Sequence, residues 1–278
     1  MFHLRRNYMA TKKAVSKSVK STSKKPTSTA KTSSKSILIK RQTSITSMLV
    51  NNSPFIGALV AEFVGAFLLA ASVIAGQGQP IIIMFAIAGI VLLVGGFSGA
   101  HLNPAISIGA WVTRKISAWR AVGYVAAQFL GALAALGLLT IFVGGASQPD
   151  ATAQLYGQAA PTVFAANPIA EGKEWYLFFA ELIGTMILGF ALASALRAGK
   201  DKVSAALTVG FGIFVGLLFA ATAASYVGGS AIINPAVAAS LDAIDWSVWP
   251  LAVYVLAPVI GGVLGFVLND VMRASAKS

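Results

Sequence analysis

Past residue 50 the chain is a succession of long apolar blocks separated by short breaks of Gly, Pro or charge. Six blocks, at about 54–76, 80–98, 119–143, 174–197, 203–226 and 248–270, each approach or exceed the roughly 20 apolar residues that a bilayer-crossing helix needs. Two shorter apolar segments follow the second and fifth blocks. They begin at Asn103-Pro104-Ala105 and Asn234-Pro235-Ala236 and end near Trp111 and Ala243, too early to cross a bilayer. Asn is a strong N-cap, and Pro is favoured in the first helical turn, where its missing N–H costs nothing. Each segment is therefore predicted to be a half-helix that starts at its Asn-Pro.

The pattern occurs twice. Ala61-Glu62-Phe63-Val64-Gly65 in the first block matches Ala180-Glu181-Leu182-Ile183-Gly184 in the fourth, and the two Asn-Pro-Ala motifs follow in the same order. Gly123-Tyr124-Val125-Ala126-Ala127 in the third block resembles Val253-Tyr254-Val255-Leu256-Ala257 in the sixth. Three spans per repeat is an odd number, so the halves (about 54–143 and 174–270) must have opposite orientations. Inverted repeats of this kind place a working site near the midplane.

Charge orients the spans. Charged residues make up 11% of the chain, against roughly 25% in an average soluble domain. Twelve of the 21 Lys and Arg lie in residues 1–50, which hold no acid; residues 51–278 are net neutral. Of the remaining cations, all but Lys173 fall after the second span, between the fourth and fifth, or after the sixth. All of these segments share a side with the amino-terminal stretch, and the positive-inside rule makes that side cytoplasmic, with both termini on it. Residues 1–50 are rich in Ser and Thr, nearly free of aromatics and expected to be a disordered basic arm. Three readings of the arm stay open: a solvated cytoplasmic tail, a contact with anionic lipid headgroups, and an organelle transit peptide. No nucleic-acid partner is expected, because no aromatic is interleaved with the cations for stacking.

Candidate chemistry is sparse. The chain has no Cys, and its two histidines are His3 and His101. Neither a thiolate nucleophile, a Ser–His pair, a metal centre nor a cofactor site is expected, and the chain is not read as an enzyme. The information lies in the paired half-helices. Entering from opposite faces, their positive dipole ends would meet at the midplane. Irregular backbone at that depth is tolerated only around a water-filled cavity or inside protein. The amides of Asn103 and Asn234 would donate to a permeant, and the converging positive ends would repel cations. The expectation is a narrow pore for small neutral molecules.

On Glu62, Ser98-Gly99-Ala100-His101-Leu102-Asn103-Pro104-Ala105, Gln128, Glu181 and Asn234-Pro235-Ala236, the chain resembles the major intrinsic protein family of aquaporins and aquaglyceroporins across about 54–272. The resemblance implies an all-α membrane protein with six transmembrane helices and two re-entrant half-helices, forming a channel domain over 51–278. It also implies a pore in each subunit of a homotetramer. Glu62, His101, Gln128 and Glu181 would support the pore loops. The family usually carries Arg directly after the second motif, and here that residue is Val237. Ungapped counting puts the other constriction positions at Ile83, with Phe85 as its rival, and at Thr222 and Ala231. A constriction without the arginine is expected to be apolar and to admit small neutral solutes such as glycerol, urea or ammonia as well as water. A strict water channel and a secondary transporter with inverted repeats are the alternatives.

Overall fold

The computed structural model describes residues 53–147, 149–150, 152, 155, 157, 159–197 and 201–276. The basic stretch 1–50, with its three readings, lies outside the described residues. The first half comprises α1 (Ser53–Ala75), α2 (Pro80–Ser98), the short α3 (Pro104–Val112) and α4 (Ala118–Gly144). The second comprises α5 (Glu174–Arg197), α6 (Lys202–Ser225), the short α7 (Pro235–Ser240) and α8 (Val248–Ser275). Six of these helices are long and apolar enough to cross a membrane.

Local chemistry sets the helix ends. Pro80 opens α2, and α2 stops at Gly99, whose left-handed φ of 88° lets its N–H donate back to Gly95 O at 3.0 Å. Ser117 caps α4, and Asp201 caps α6 by accepting from Val203 N and Ser204 N, both at 3.1 Å. Within α8 the backbone widens to a π turn over Ala252–Leu256, directly before Pro258. Proline has no N–H to give and its ring crowds the preceding turn, and the wider turn accommodates both. The second half-helix ends three residues before the expected Ala243. Asp242 turns left-handed (φ 55°), and Ala243 N–H closes the end on Ala238 O at 3.0 Å.

Helix α1 packs on α2 and α4, α5 packs on α6 and α8, and the halves meet along α2 and α6. Each half-helix crosses to the other side of the seam: α3 lies on α8, and α7 lies on α4. Small residues make these approaches close. A Cβ on Gly109 of α3 would lie 2.9 Å from the Gly262 backbone of α8, and one on Gly184 of α5 would lie 2.9 Å from Gly216 O of α6. Lipid tails are as apolar as leucine, so helices in a bilayer associate through such packing and through buried hydrogen bonds. The surface fits that solvent. Phe85, Leu93, Phe97, Ile141 and Phe142 point outward, whereas Glu62, Asn103, Gln128, Glu181 and Asn234 are buried.

Candidate conduit and its two asparagines

The pore loops are built twice on one plan. In the first half Glu62, on α1, accepts from His101 N at 2.9 Å and from Leu102 N at 2.7 Å, one backbone hydrogen on each carboxyl oxygen. In the second Glu181, on α5, accepts from Ile232 N at 2.5 Å and from Ile233 N at 2.8 Å. These N–H groups belong to loops with no helical partner, and an unpaired buried N–H costs about 1–3 kcal/mol. Leu102 and Ile233 are both left-handed, with φ of 54° and 51°. For a β-branched residue such as Ile233 that conformation is an outlier, and it persists only where the surroundings over-determine it.

The strain aims two carbonyls. Leu102 O accepts from Asn234 Nδ2 at 2.9 Å, and Ile233 O accepts from Asn103 Nδ2 at 2.8 Å. Each Asn also caps its own half-helix. Asn103 Oδ1 accepts from Ala105 N at 2.9 Å, and Asn234 Oδ1 accepts from Ala236 N at 3.0 Å. Pro104 and Pro235 fill the first helical positions, and Ala105 and Ala236 are fully buried beneath them. An amide nitrogen carries two hydrogens. One from each Asn ties the two half-helix tips together.

Two further braces escaped the sequence reading. Tyr124 Oη donates to Ser98 O at 2.8 Å, and Tyr254 Oη donates to Ser230 O at 3.2 Å. Both tyrosines sit at matched places in the repeat, and that match was the available signal. The other supports differ between halves. Gln128 Nε2 donates to Glu62 Oε2 at 2.7 Å and to Ser107 Oγ at 2.9 Å, and His101 Nδ1 lies 3.2 Å from that same hydroxyl. The ring of His101 meets Tyr124 edge-on, with centroids 5.3 Å apart. Four residues past Tyr254 stands Pro258, where the first half has Gln128, so that position offers Glu181 no side-chain amide.

A cavity of about 150 Å³ runs from Gln77 and Gly78, at one end of the bundle, to Asn234. Ile83, Ala231 and Val237 line it, and among the described residues no charged side chain does. Phe85, the rival of Ile83, is 69% exposed on the outer surface. The Thr222 assignment is corrected. Thr222 lies on an outward groove with Tyr226 and Lys173, and α6 presents Ile213, Leu217 and Ala221 to the cavity instead. One helical position is 100° of rotation, so the slip carries a side chain from the lining to the outer face. The count failed in the turn between α6 and the second motif. Gly228 is left-handed there and Gly229 N–H reaches back to Ala224 O at 3.0 Å. Phe164 also lines the cavity, although it comes from the long loop after α4. Asn167 holds that loop in place: its N–H donates to Ser230 Oγ at 2.9 Å and its Nδ2 to Gly228 O at 3.3 Å.

The sequence matches the major intrinsic protein family over residues 49–268. It is 33% identical over 184 residues to aquaporin PIP2-7 of Arabidopsis thaliana, an alignment that covers 58% of this chain and 61% of that protein. It is 31% identical over 228 residues to glycerol uptake facilitator protein-like 6 of Lactiplantibacillus plantarum, covering 77% of this chain and 96% of that protein. The chain thus spans about three fifths of the plant relative and nearly all of the bacterial one. Among solved structures, the aquaglyceroporin from Plasmodium falciparum superposes with a TM-score of 0.58 at 21% identity, covering 81% of this chain and 100% of that one. That likeness concerns the fold.

Proposed function

The chain belongs to the major intrinsic protein family, and we propose that it is a passive transmembrane channel for water and small neutral solutes of the glycerol, urea and ammonia class. The reading rests on one observation above others: Asn234, tied tip to tip with Asn103, borders a cavity whose walls at Ile83, Leu217, Ala221, Ala231 and Val237 carry no charge. The amide hydrogens not used in the tip contact are the donors offered to a passing hydroxyl or water. The facing N-terminal ends of α3 and α7 disfavour cations.

Val237 stands where a guanidinium would supply both a fixed charge and a fork of donors. Without it the constriction is lined by aliphatic groups, a surface suited to the carbon backbone of a small polyol and costly for any ion to enter. No ionisable side chain among the described residues lines the cavity, which counts against an ion-coupled transporter. The chain is further proposed to form a homotetramer in the lipid bilayer, with a conduit in each subunit. Its termini are assigned to the cytoplasm, on the face that carries Arg114, Lys115, Arg120, Lys202 and Arg273.

Stopped-flow permeability of proteoliposomes tests this. The native chain is expected to raise the flux of water and of at least one larger solute above protein-free vesicles. Val237→Arg is expected to cut glycerol and urea flux about tenfold relative to water, which corresponds to ~1.4 kcal/mol. Rapid water flux with no passage of any larger solute would refute the wide, uncharged constriction.

A further inference from the structure

The two half-helices end in the same way and differ in charge. Lys115 N–H reaches back to Ala110 O at 2.7 Å, as Ala243 N–H reaches back to Ala238 O. The left-handed residue inside this closure is Arg114 (φ 61°) in one repeat and Asp242 (φ 55°) in the other. Glycine carries the least strain at such a position. Here it is occupied by a cation at one end of the bundle and an anion at the other.

At the Arg114 end a cavity of about 440 Å³ opens beside His101 and Ser98. Arg114, Lys115 and Arg197 line it, and among the described residues no carboxylate does. The acid nearest to them, Asp270, is shared: it pairs with Lys115 at 2.9 Å and also with Arg197. Arg114 makes no ion pair among the described residues. Three cations therefore face one cavity with a single carboxylate among them. Burial, and then repulsion by Arg197 and Arg273, hold the Lys115 ammonium below the ordinary lysine value even though it is paired. Ile116, Leu196 and Phe266 supply an apolar wall.

We propose that this cavity, which opens beside the first pore loop at Ser98 and His101, binds a phosphomonoester dianion and that the bound anion obstructs passage there. A tetrahedral dianion offers several oxygens at once, to the guanidinium fork of Arg114 and to the ammonium of Lys115, and charge-assisted bonds of that kind are about twice as strong as neutral ones. The volume leaves room for a small organic group against the apolar wall. The same chemistry is carried by a soluble phosphate ester and by the headgroup of phosphatidic acid. Closure rests on the channel reading; binding does not.

The test separates the two. Phosphorus NMR line broadening on the detergent-solubilised protein, with inorganic phosphate at constant ionic strength, is expected to show saturable binding. Arg114→Gly removes the charge and relieves the left-handed strain, so the fold is kept, and it should weaken binding by about tenfold or more. Arg114→Lys should restore part of it. In phosphatidylcholine proteoliposomes, phosphate on the Arg114 side is expected to lower native solute flux at least twofold and to leave Arg114→Gly unchanged. A second set containing phosphatidic acid and no phosphate tells the sources apart, because a flux lowered in that set alone identifies the lipid as occupant. Absent or non-saturable binding, equal binding of chloride, or binding undiminished in Arg114→Gly overturns the site. Flux unaltered both by phosphate that does bind and by phosphatidic acid overturns the closure. A native chain that binds phosphate but conducts nothing sinks the channel reading and leaves the site standing.

Discussion

Glu62 and Glu181 each receive two consecutive backbone hydrogens, and in each pair the second residue is left-handed. A carboxamide in the same place has one acceptor oxygen instead of two. Glu181→Gln is therefore expected to orphan the N–H of Ile232 or Ile233 and to lower stability by about 1–3 kcal/mol, read as an earlier thermal transition in detergent. An unchanged transition would show that the loop finds other partners. The residues lining the cavity can be tested singly because the native chain has no thiol. Mercurials should leave native flux intact. Leu217→Cys and Ala221→Cys should be blocked by them, and Thr222→Cys should not; block at Thr222→Cys would restore the assignment made by counting. Residue legibility divides along this line. The motif letters Glu62, Asn103, Glu181 and Asn234 could be read directly because their partners are backbone groups a fixed short step from each Asn. Thr222 could not be placed, since a rotational phase does not survive a non-helical turn. Phe164 reaches the cavity through a loop anchored by tertiary bonds, and no local pattern announces it.

At the scale of elements, the long helices were legible because bilayer thickness imposes a length, and Gly, Pro and charge mark each break. The half-helices were legible at their starts, where Asn and Pro act locally, and less so at the end of α7, where a left-handed Asp242 ends the helix. Contact between helices depends on glycines whose places in the sequence already suggest close approach. A side chain at Gly261 of α8 would run into Leu182 O of α5, and one at Gly265 would run into Met186 O. Gly261→Leu is expected to push α8 off α5 and abolish the monodisperse peak in detergent size-exclusion chromatography. Gly137 of α4 meets nothing within 4 Å, and Gly137→Leu should leave that peak in place. Equal behaviour of the two variants would mean that the close approach of α5 and α8 is dispensable.

Over the whole molecule, the inverted plan sets opposite charge at the two ends. Arg114, Lys115 and Arg197 gather at one and Asp242 and Asp245 at the other, yet the cavity from Gln77 to Asn234 has no ionisable side chain among its described lining residues. Such a body should pass no current. Planar bilayers containing the protein are expected to show no sodium or potassium conductance above the protein-free background, and measurable cation current would mean that the facing helix ends do not guard the path.

The bond from Asn103 to Ile233 spans 130 positions of sequence, and this has a bearing on biogenesis. Until the loop after α6 has been synthesised, the Asn103 amide has no Ile233 carbonyl to meet. The tip-to-tip contact can thus form only once both repeats have been made, because each half supplies the carbonyl that the other half's asparagine needs.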